Sequence, residues 1–225
     1  VRLWAQFAAV ALGLFFLDNE GYLLQGMAPK WADRILAALV WVWFINLFNF
    51  MDGIDGIASI ETIVISFGLA ILSITSPSLA PEPWLSLSIL AVSIGFLKSN
   101  WPPAKLFLGD VGSIPLGYIL GGLLLLVAMR GAWQVALILP IYFLLDSTIT
   151  LVRRLLKFKP IWRAHKEHFY QQAVSAGKSH AEVTTAVAIL GIILVGLAHL
   201  PFGQPFLPII AATTLTVGVM MWMVK

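Results

Sequence analysis

The sequence contains no cysteine. A disulfide framework and thiolate metal sites are therefore excluded. Charge is scarce as well. Asp, Glu, Lys and Arg make up 11% of the 225 residues, against about 25% in an ordinary soluble domain. The segment 107–115 lacks the Gly-Lys-Ser/Thr ending of a Walker A loop, no HExxH pair is present, and no third ligand accompanies the one close histidine pair. Internal repeats, low-complexity runs and the inverted symmetry of many transporters are missing too. What fills the chain instead is apolar: 60% of its residues are hydrophobic, and the mean hydropathy is +0.91. A soluble chain of this length has no interior large enough for that much apolar surface.

The apolar residues come in eight blocks, near 3–17, 34–50, 57–76, 84–98, 114–129, 132–151, 184–200 and 206–224. A bilayer crossing needs roughly 20 helical residues, so the expectation is an all-α, polytopic membrane helix bundle of about eight transmembrane helices in one domain, 1–225. Proline-bearing connectors at 77–83 and 201–205 read as turns, because proline cannot continue a helix. Alternating the spans places Arg2, Lys98, Lys105, Arg153, Arg154, Lys157, Lys159, Arg163, Lys166, Lys178 and Lys225 on one side, eleven of the fourteen basic residues. Only Lys30, Arg34 and Arg130 fall on the other. The positive-inside rule makes the first side cytoplasmic. Arg2 followed by Leu3 to Leu17 imitates a signal peptide, but Asp18-Asn19-Glu20 stand where a small-residue cleavage site belongs. The first block is expected to be a membrane helix whose upstream partner precedes this sequence.

Three polar clusters face the cytoplasm on this topology. The first is NLFNFMDGIDG, residues 46–56. Asn46, Asn49 and Asp52 are three apart and share one helical face, with Asp55 as a neighbour of Asp52. Gly53 and Gly56 permit a tight turn and close approach of a ligand. A helix cap facing lipid headgroups is the plainer alternative, although two Asn and two Asp exceed what a cap requires.

The second is FLGDVGSIP, residues 107–115. Ser113 is expected as the N-cap of the following helix, with Pro115 in its first turn and Asp110 in the loop before it. A helix N-terminus favours phosphate, and a carboxylate beside it suits Mg²⁺. Taken alone, the segment reads equally well as a plain turn.

The third is the basic loop 153–178, with Arg163, His165, Lys166, His168 and Tyr170. It suits a diphosphate or anionic lipid heads alike. Asp146 lies within the sixth block, where a carboxylate is either functional or paired, for instance with Arg153. His180 and His199 read as ordinary polar residues. Together the clusters supply carboxylates for a metal, donors for phosphates and an aromatic, Phe107, able to stack on a base. That combination points to a nucleotide-diphosphate substrate handled at the membrane surface.

NLFNFMDGIDG from Asn46, KLFLGDVGSIPLG from Lys105 and HKEHFYQ from His165 resemble, in kind and order, signatures of the polyprenyl-phosphate N-acetylhexosamine-1-phosphate transferases. The histidine segment, with Gly177, Ser179 and His180 after it, is most like that of the enzymes initiating O-antigen and exopolysaccharide synthesis. The resemblance implies attack of undecaprenyl phosphate on the sugar-bearing phosphorus of a UDP-N-acetylhexosamine, with UMP leaving. It implies Mg²⁺, or Mn²⁺, on Asp110, and Asp52, Asp55, His165 and His168 as catalytic residues. Substrate would be bound by Asn46, Asn49, Gly53, Phe107 and Arg163. It implies a bacterial inner membrane with the active face cytoplasmic, membrane lipids and a homodimer as partners, and no nucleic acid. The family's adjacent Asp-Asp pair lies upstream of Val1, so this chain resembles the C-terminal part of the family fold and is expected to show little or no transferase activity by itself. A transporter or flippase of lipid-linked sugars, and an inactive remnant, are the competing readings. The CDP-alcohol phosphotransferases fit less well, since Ala58 is followed by Ser59 rather than Arg.

Overall fold

The computed structural model describes residues 2–160, 165–200 and 206–225. Every element among them is helical. In chain order they are α1 (Arg2–Phe16), α2 (Lys30–Met51), α3 (Ile57–Thr75), α4 (Pro83–Asn100), α5 (Gly109–Val127), α6 (Trp133–Ile138), α7 (Ile141–Leu156), α8 (Phe169–Ser175), α9 (His180–Ala198) and α10 (Phe206–Met223).

Among the described residues, five helical segments are long and apolar enough to cross a membrane: 30–51, 57–75, 109–138, 180–198 and 206–223. α1 and α7, with 15 and 16 residues, are shorter. α4 carries four serines and Lys98 among its 18 residues. The sixth apolar block is not one span. The chain bends at Gly131 (φ +104), α6 runs only to Ile138, and α7 starts afresh behind Pro140. Proline has no N–H to donate and its ring collides with the preceding turn, so the break falls where the sequence forbids a continuous helix.

α3 is the most enclosed of the spanning helices. Around it Phe48, Ile57, Ile65, Leu69, Leu120, Ile138 and Phe143 form one fully buried core. α2 and α5 pack unusually close. A Cβ on Gly117 would stand 3.1 Å from the Ile45 Cα, and one on Gly121 would stand 2.9 Å from the Trp41 and Phe44 rings. Lipid offers no hydrophobic drive for helices to associate, so small residues that let backbones approach carry the packing. That contact brings the last turn of α2 beside the first turn of α5.

At the opposite end, Asp18 accepts from Lys30 Nζ at 2.7 Å and lies 3.3 Å from Arg34 Nε. Lys30 holds the Asp18 carboxyl below its ordinary range. Arg130 pairs with Glu20 at 2.7 Å, and Asp33 accepts from the backbone N–H groups of Leu23 and Leu24. The acidic residues of 18–20 are thus committed to the three basic residues that share their side.

Candidate active site

α2 ends at Met51, and Asp52 caps it with φ −86 and ψ 51. The three-residue stripe expected from Asn46 to Asp52 therefore breaks after Asn49, and each member has a different use. Asn46 donates to Gln6 Oε1 at 2.9 Å and to the Val42 carbonyl at 2.7 Å. Its amide is spent on the seam between α1 and α2, one turn away from the cluster, which differs from the ligand role expected for it. Asn49 donates to Asp110 Oδ1 at 2.9 Å and to Ser113 Oγ at 2.8 Å. One amide thereby joins the first motif to the second.

α5 begins at Gly109, five residues before the expected start. Gly112 N–H donates to the Leu108 carbonyl, and the Ser113 hydroxyl donates to the Gly109 carbonyl at 2.9 Å, so the first turn closes ahead of Pro115. Ser113 is a buried helical residue rather than the N-cap, and Asp110 sits in the first turn rather than in a preceding loop. That placement favours a carboxylate, since the turn's N–H groups have no intrahelical partners.

Burial and the nearby Asp110 carboxylate push the Asp52 carboxyl up to about 7. Asp55 accepts from the Ala104 backbone N–H at 3.1 Å, and its own carbonyl accepts from the Thr184 hydroxyl at 2.8 Å. His180, expected to be ordinary, lies beside it. His180 Nδ1 accepts from the Asp55 N–H at 3.4 Å and stands 3.3 Å from Asp55 Oδ2. His199 is what the sequence suggested, bound to the Val195 carbonyl of its own helix.

Buried Asn100 secures the turn from below. Its Oδ1 accepts from the Gly56 N–H and the Ser59 hydroxyl, and its Nδ2 donates to the Leu106 carbonyl. The loop bearing Phe107, which is 71% exposed, is thus anchored to the Asp-Gly turn by Asn100 as well as by the Asp55–Ala104 hydrogen bond.

The third cluster arrives from α8. The Tyr170 hydroxyl donates to the Phe50 carbonyl at 2.8 Å. A Cβ on Gly53 would fall on that hydroxyl and lie 3.0 Å from Tyr170 Cζ. The Tyr170 ring thus leaves no room for a side chain at Gly53. Tyr170 is fully buried, and burial holds its phenol protonated far above the usual range. The His165 and His168 rings stack at 5.0 Å, and those of His168 and Tyr170 at 5.7 Å. Burial, then the neighbouring His168, lowers the His165 pKa. Glu167 pairs with Arg154 and with Lys159, and Lys159 above all lowers its pKa. Arg163 lies outside the described residues.

A match to the family described as Glycosyl transferase family 4 covers residues 1–128, the stretch holding the first two motifs. The chain belongs to that family. It is 30% identical over 202 residues to a "Probable undecaprenyl-phosphate N-acetylglucosaminyl 1-phosphate transferase" of Bacillus subtilis, covering 86% of this chain and 55% of that one. Two proteins named "Phospho-N-acetylmuramoyl-pentapeptide-transferase" are also similar. The one from Deinococcus radiodurans is 32% identical over 165 residues, covering 71% of this chain and 49% of its own. The one from Chlamydia abortus is 40% identical over 118 residues, covering 51% and 31%. The chain therefore spans about half the length of the first two relatives and about a third of the third.

In this family 4 chain the donor set at the α2–α5 junction fits a divalent cation. Asp52 and Asp110 are hard oxygen donors close enough to repel, and a cation between them offsets that repulsion. Among the described residues no three His, Cys, Asp or Glu side chains form a ready cage. Mg²⁺ needs none, since it is usually held by one or two carboxylates with substrate phosphates completing its shell. A His165–His168 zinc pair has no third ligand among these residues.

Asn100 escapes a reading of the sequence, because an Asn near a connector is common and only the fold shows that it ties the Asp-Gly turn to the loop of Leu106.

Proposed function

We propose that this protein transfers an N-acetylhexosamine 1-phosphate from a UDP-linked sugar to undecaprenyl phosphate at the cytoplasmic face of a bacterial inner membrane. A phosphate oxygen of the lipid attacks the sugar-bearing phosphorus. The bond from that phosphorus to the bridging oxygen breaks, and UMP leaves with the electron pair. The observation that carries the reading is the Asn49 amide bridging Asp110 and Ser113. It joins two motifs 61 residues apart, and the Tyr170 hydroxyl ties the histidine segment to the end of α2 at Phe50.

Phosphoryl transfer depends on positioning and charge neutralisation more than on covalent participation. Asp110, with Asp52 beside it, would hold Mg²⁺ or Mn²⁺. Such an ion would supply positive charge to offset that of the diphosphate and the leaving UMP. The first-turn N–H groups of α5 orient phosphate oxygens. Phe107, exposed on its anchored loop, offers a face for uracil. His165 and His168 would sit near the diphosphate and sugar. The relatives' printed names support a sugar phosphate on undecaprenyl phosphate as the product class.

Two measurements test the proposal together: binding of UDP with Mg²⁺ to the purified chain in nanodiscs, and UMP release with undecaprenyl phosphate and a panel of UDP-N-acetylhexosamines. Binding is expected to require the metal. Asp110→Asn is expected to lower affinity and turnover at least 10-fold, a modest demand against the several kcal/mol a metal supplies in such sites. Absence of both binding and UMP release, or indifference of both to Asp110→Asn, would overturn it.

A further inference from the structure

We propose that Asp146 is the positioning residue of the histidine loop, a carboxylate sunk in α7 that holds the His168 ring by Nδ1 and leaves Nε2 to meet the substrate. The role of His168 at the phosphates rests on the transferase reading; the hydrogen bonds do not.

Asp146 is fully buried. Its Oδ1 lies 3.0 Å from His168 Nδ1 and accepts from the Phe169 N–H at 3.1 Å and the Thr150 hydroxyl at 3.3 Å. Its Oδ2 accepts from the Tyr170 N–H and the Tyr142 hydroxyl, each at 3.4 Å. The partner anticipated from the sequence does not take part. Arg153 instead places its guanidinium over the Phe169 ring at 5.7 Å, and Arg154 is engaged by Glu167 and by the Pro160 carbonyl. Three of the five donors to Asp146 thus come from the consecutive residues 168–170.

A carboxylate buried in a membrane protein is costly, and packing alone is better served by an apolar side chain. What this carboxylate achieves is specific. A ring nitrogen facing an acceptor that already takes two backbone N–H groups must bring its own proton, so the neutral His168 ring carries hydrogen on Nδ1. Nε2 is then the nitrogen able to accept or relay a proton. The same carboxylate fixes Tyr170, whose hydroxyl reaches Phe50 and whose ring covers Gly53 beside Asp52. One buried group therefore sets the tautomer and the register of the histidine segment against the Asp-Gly turn.

The test is the tautomer, read by ¹⁵N NMR on the full chain labelled at its four histidines, with the His168 signals assigned by their loss in His168→Gln. The resting protein at pH 8 is expected to show the Nδ1–H form. In Asp146→Asn the new amide donates to Nδ1, and the ring is expected to turn to the Nε2–H form. In the UMP-release assay Asp146→Asn is expected to lower kcat about 100-fold, the scale of a misplaced general acid–base group. KM for the UDP-sugar should move less than about 3-fold, and Asp146→Glu should recover part of kcat. An Nε2–H ring in the unsubstituted protein overturns the proposal, and that result needs neither a folded variant nor a working transferase. An unchanged tautomer or an unchanged kcat in Asp146→Asn overturns it as well.

Discussion

Asp52 and Asp55 are three residues apart and look equivalent on paper, yet their surroundings differ. Asp55 is a joint, tied to Ala104, Thr184 and His180. Asp52 is enclosed and faces Asp110, and its pKa is raised from 3.8 to about 7. In the unfolded chain Asp52 ionises near 3.8; in the fold it keeps its proton up to about 7. Its contribution to stability is therefore fully present below about pH 4 and is lost as pH rises through about 7. Asp52→Asn removes the charge and keeps the shape. It is expected to melt above the parent at pH 8 in EDTA, with the gap narrowing toward pH 4 and closing when Mg²⁺ is added at pH 8. Each kcal/mol relieved is worth about 2–4 °C for a domain of this size. Tryptophan fluorescence melts measure the difference; equal midpoints at pH 8 would contradict the raised pKa. Activity should fall in the same variant, since the repulsion that costs stability is what a cation relieves.

Among the helices, the α2–α5 pair decides whether a pocket exists. Asn49 reaches Asp110 and Ser113 only because Gly117, two turns further along α5, lets the backbones meet at Ile45. Gly117→Val would force the helices apart where neither can yield. Overpacking of this kind costs about 1–3 kcal/mol. The expected result is a folded but less stable protein that has lost at least 10-fold in affinity for UDP with Mg²⁺, as measured by titration in nanodiscs. Affinity equal to the parent would show that the junction does not depend on this contact. α5 also illustrates how an element misleads when read locally. Ser113 and Pro115 make a convincing N-terminus, but the turn before them closes through Gly112 N–H and the Ser113 hydroxyl. α7 misleads in the opposite sense, since a run of apolar residues conceals the break at Pro140.

For the molecule as a whole, the site and the described basic residues of 153–178 gather at one end of the bundle, and the ion pairs of Asp18 and Glu20 close the other. The absence of cysteine makes the orientation easy to test. Met27 and Phe107 are 82% and 71% exposed at opposite ends. In intact cells an impermeant maleimide is expected to label Met27→Cys directly and Phe107→Cys only after the membrane is opened. The reverse pattern, or labelling of both from outside, would place the site on the wrong face for a cytoplasmic UDP-sugar.

Membrane class, the order of the three motifs and the side they share were legible in the residues alone. Span length and the balance of Lys and Arg are local sums, and they need no knowledge of what packs on what. The partners were not legible. Helices that are apolar on every side show no stripe to say which face turns inward, so contacts between distant residues become visible only once the bundle is assembled. The residue pattern groups Asn46 with the site, treats His180 as ordinary and leaves Asp146 either functional or paired, whereas in the fold Asn46 bonds to α1, His180 stands against Asp55 and Asp146 holds His168. Composition placed these groups at the membrane surface; close packing of helix backbones decided which of them touch.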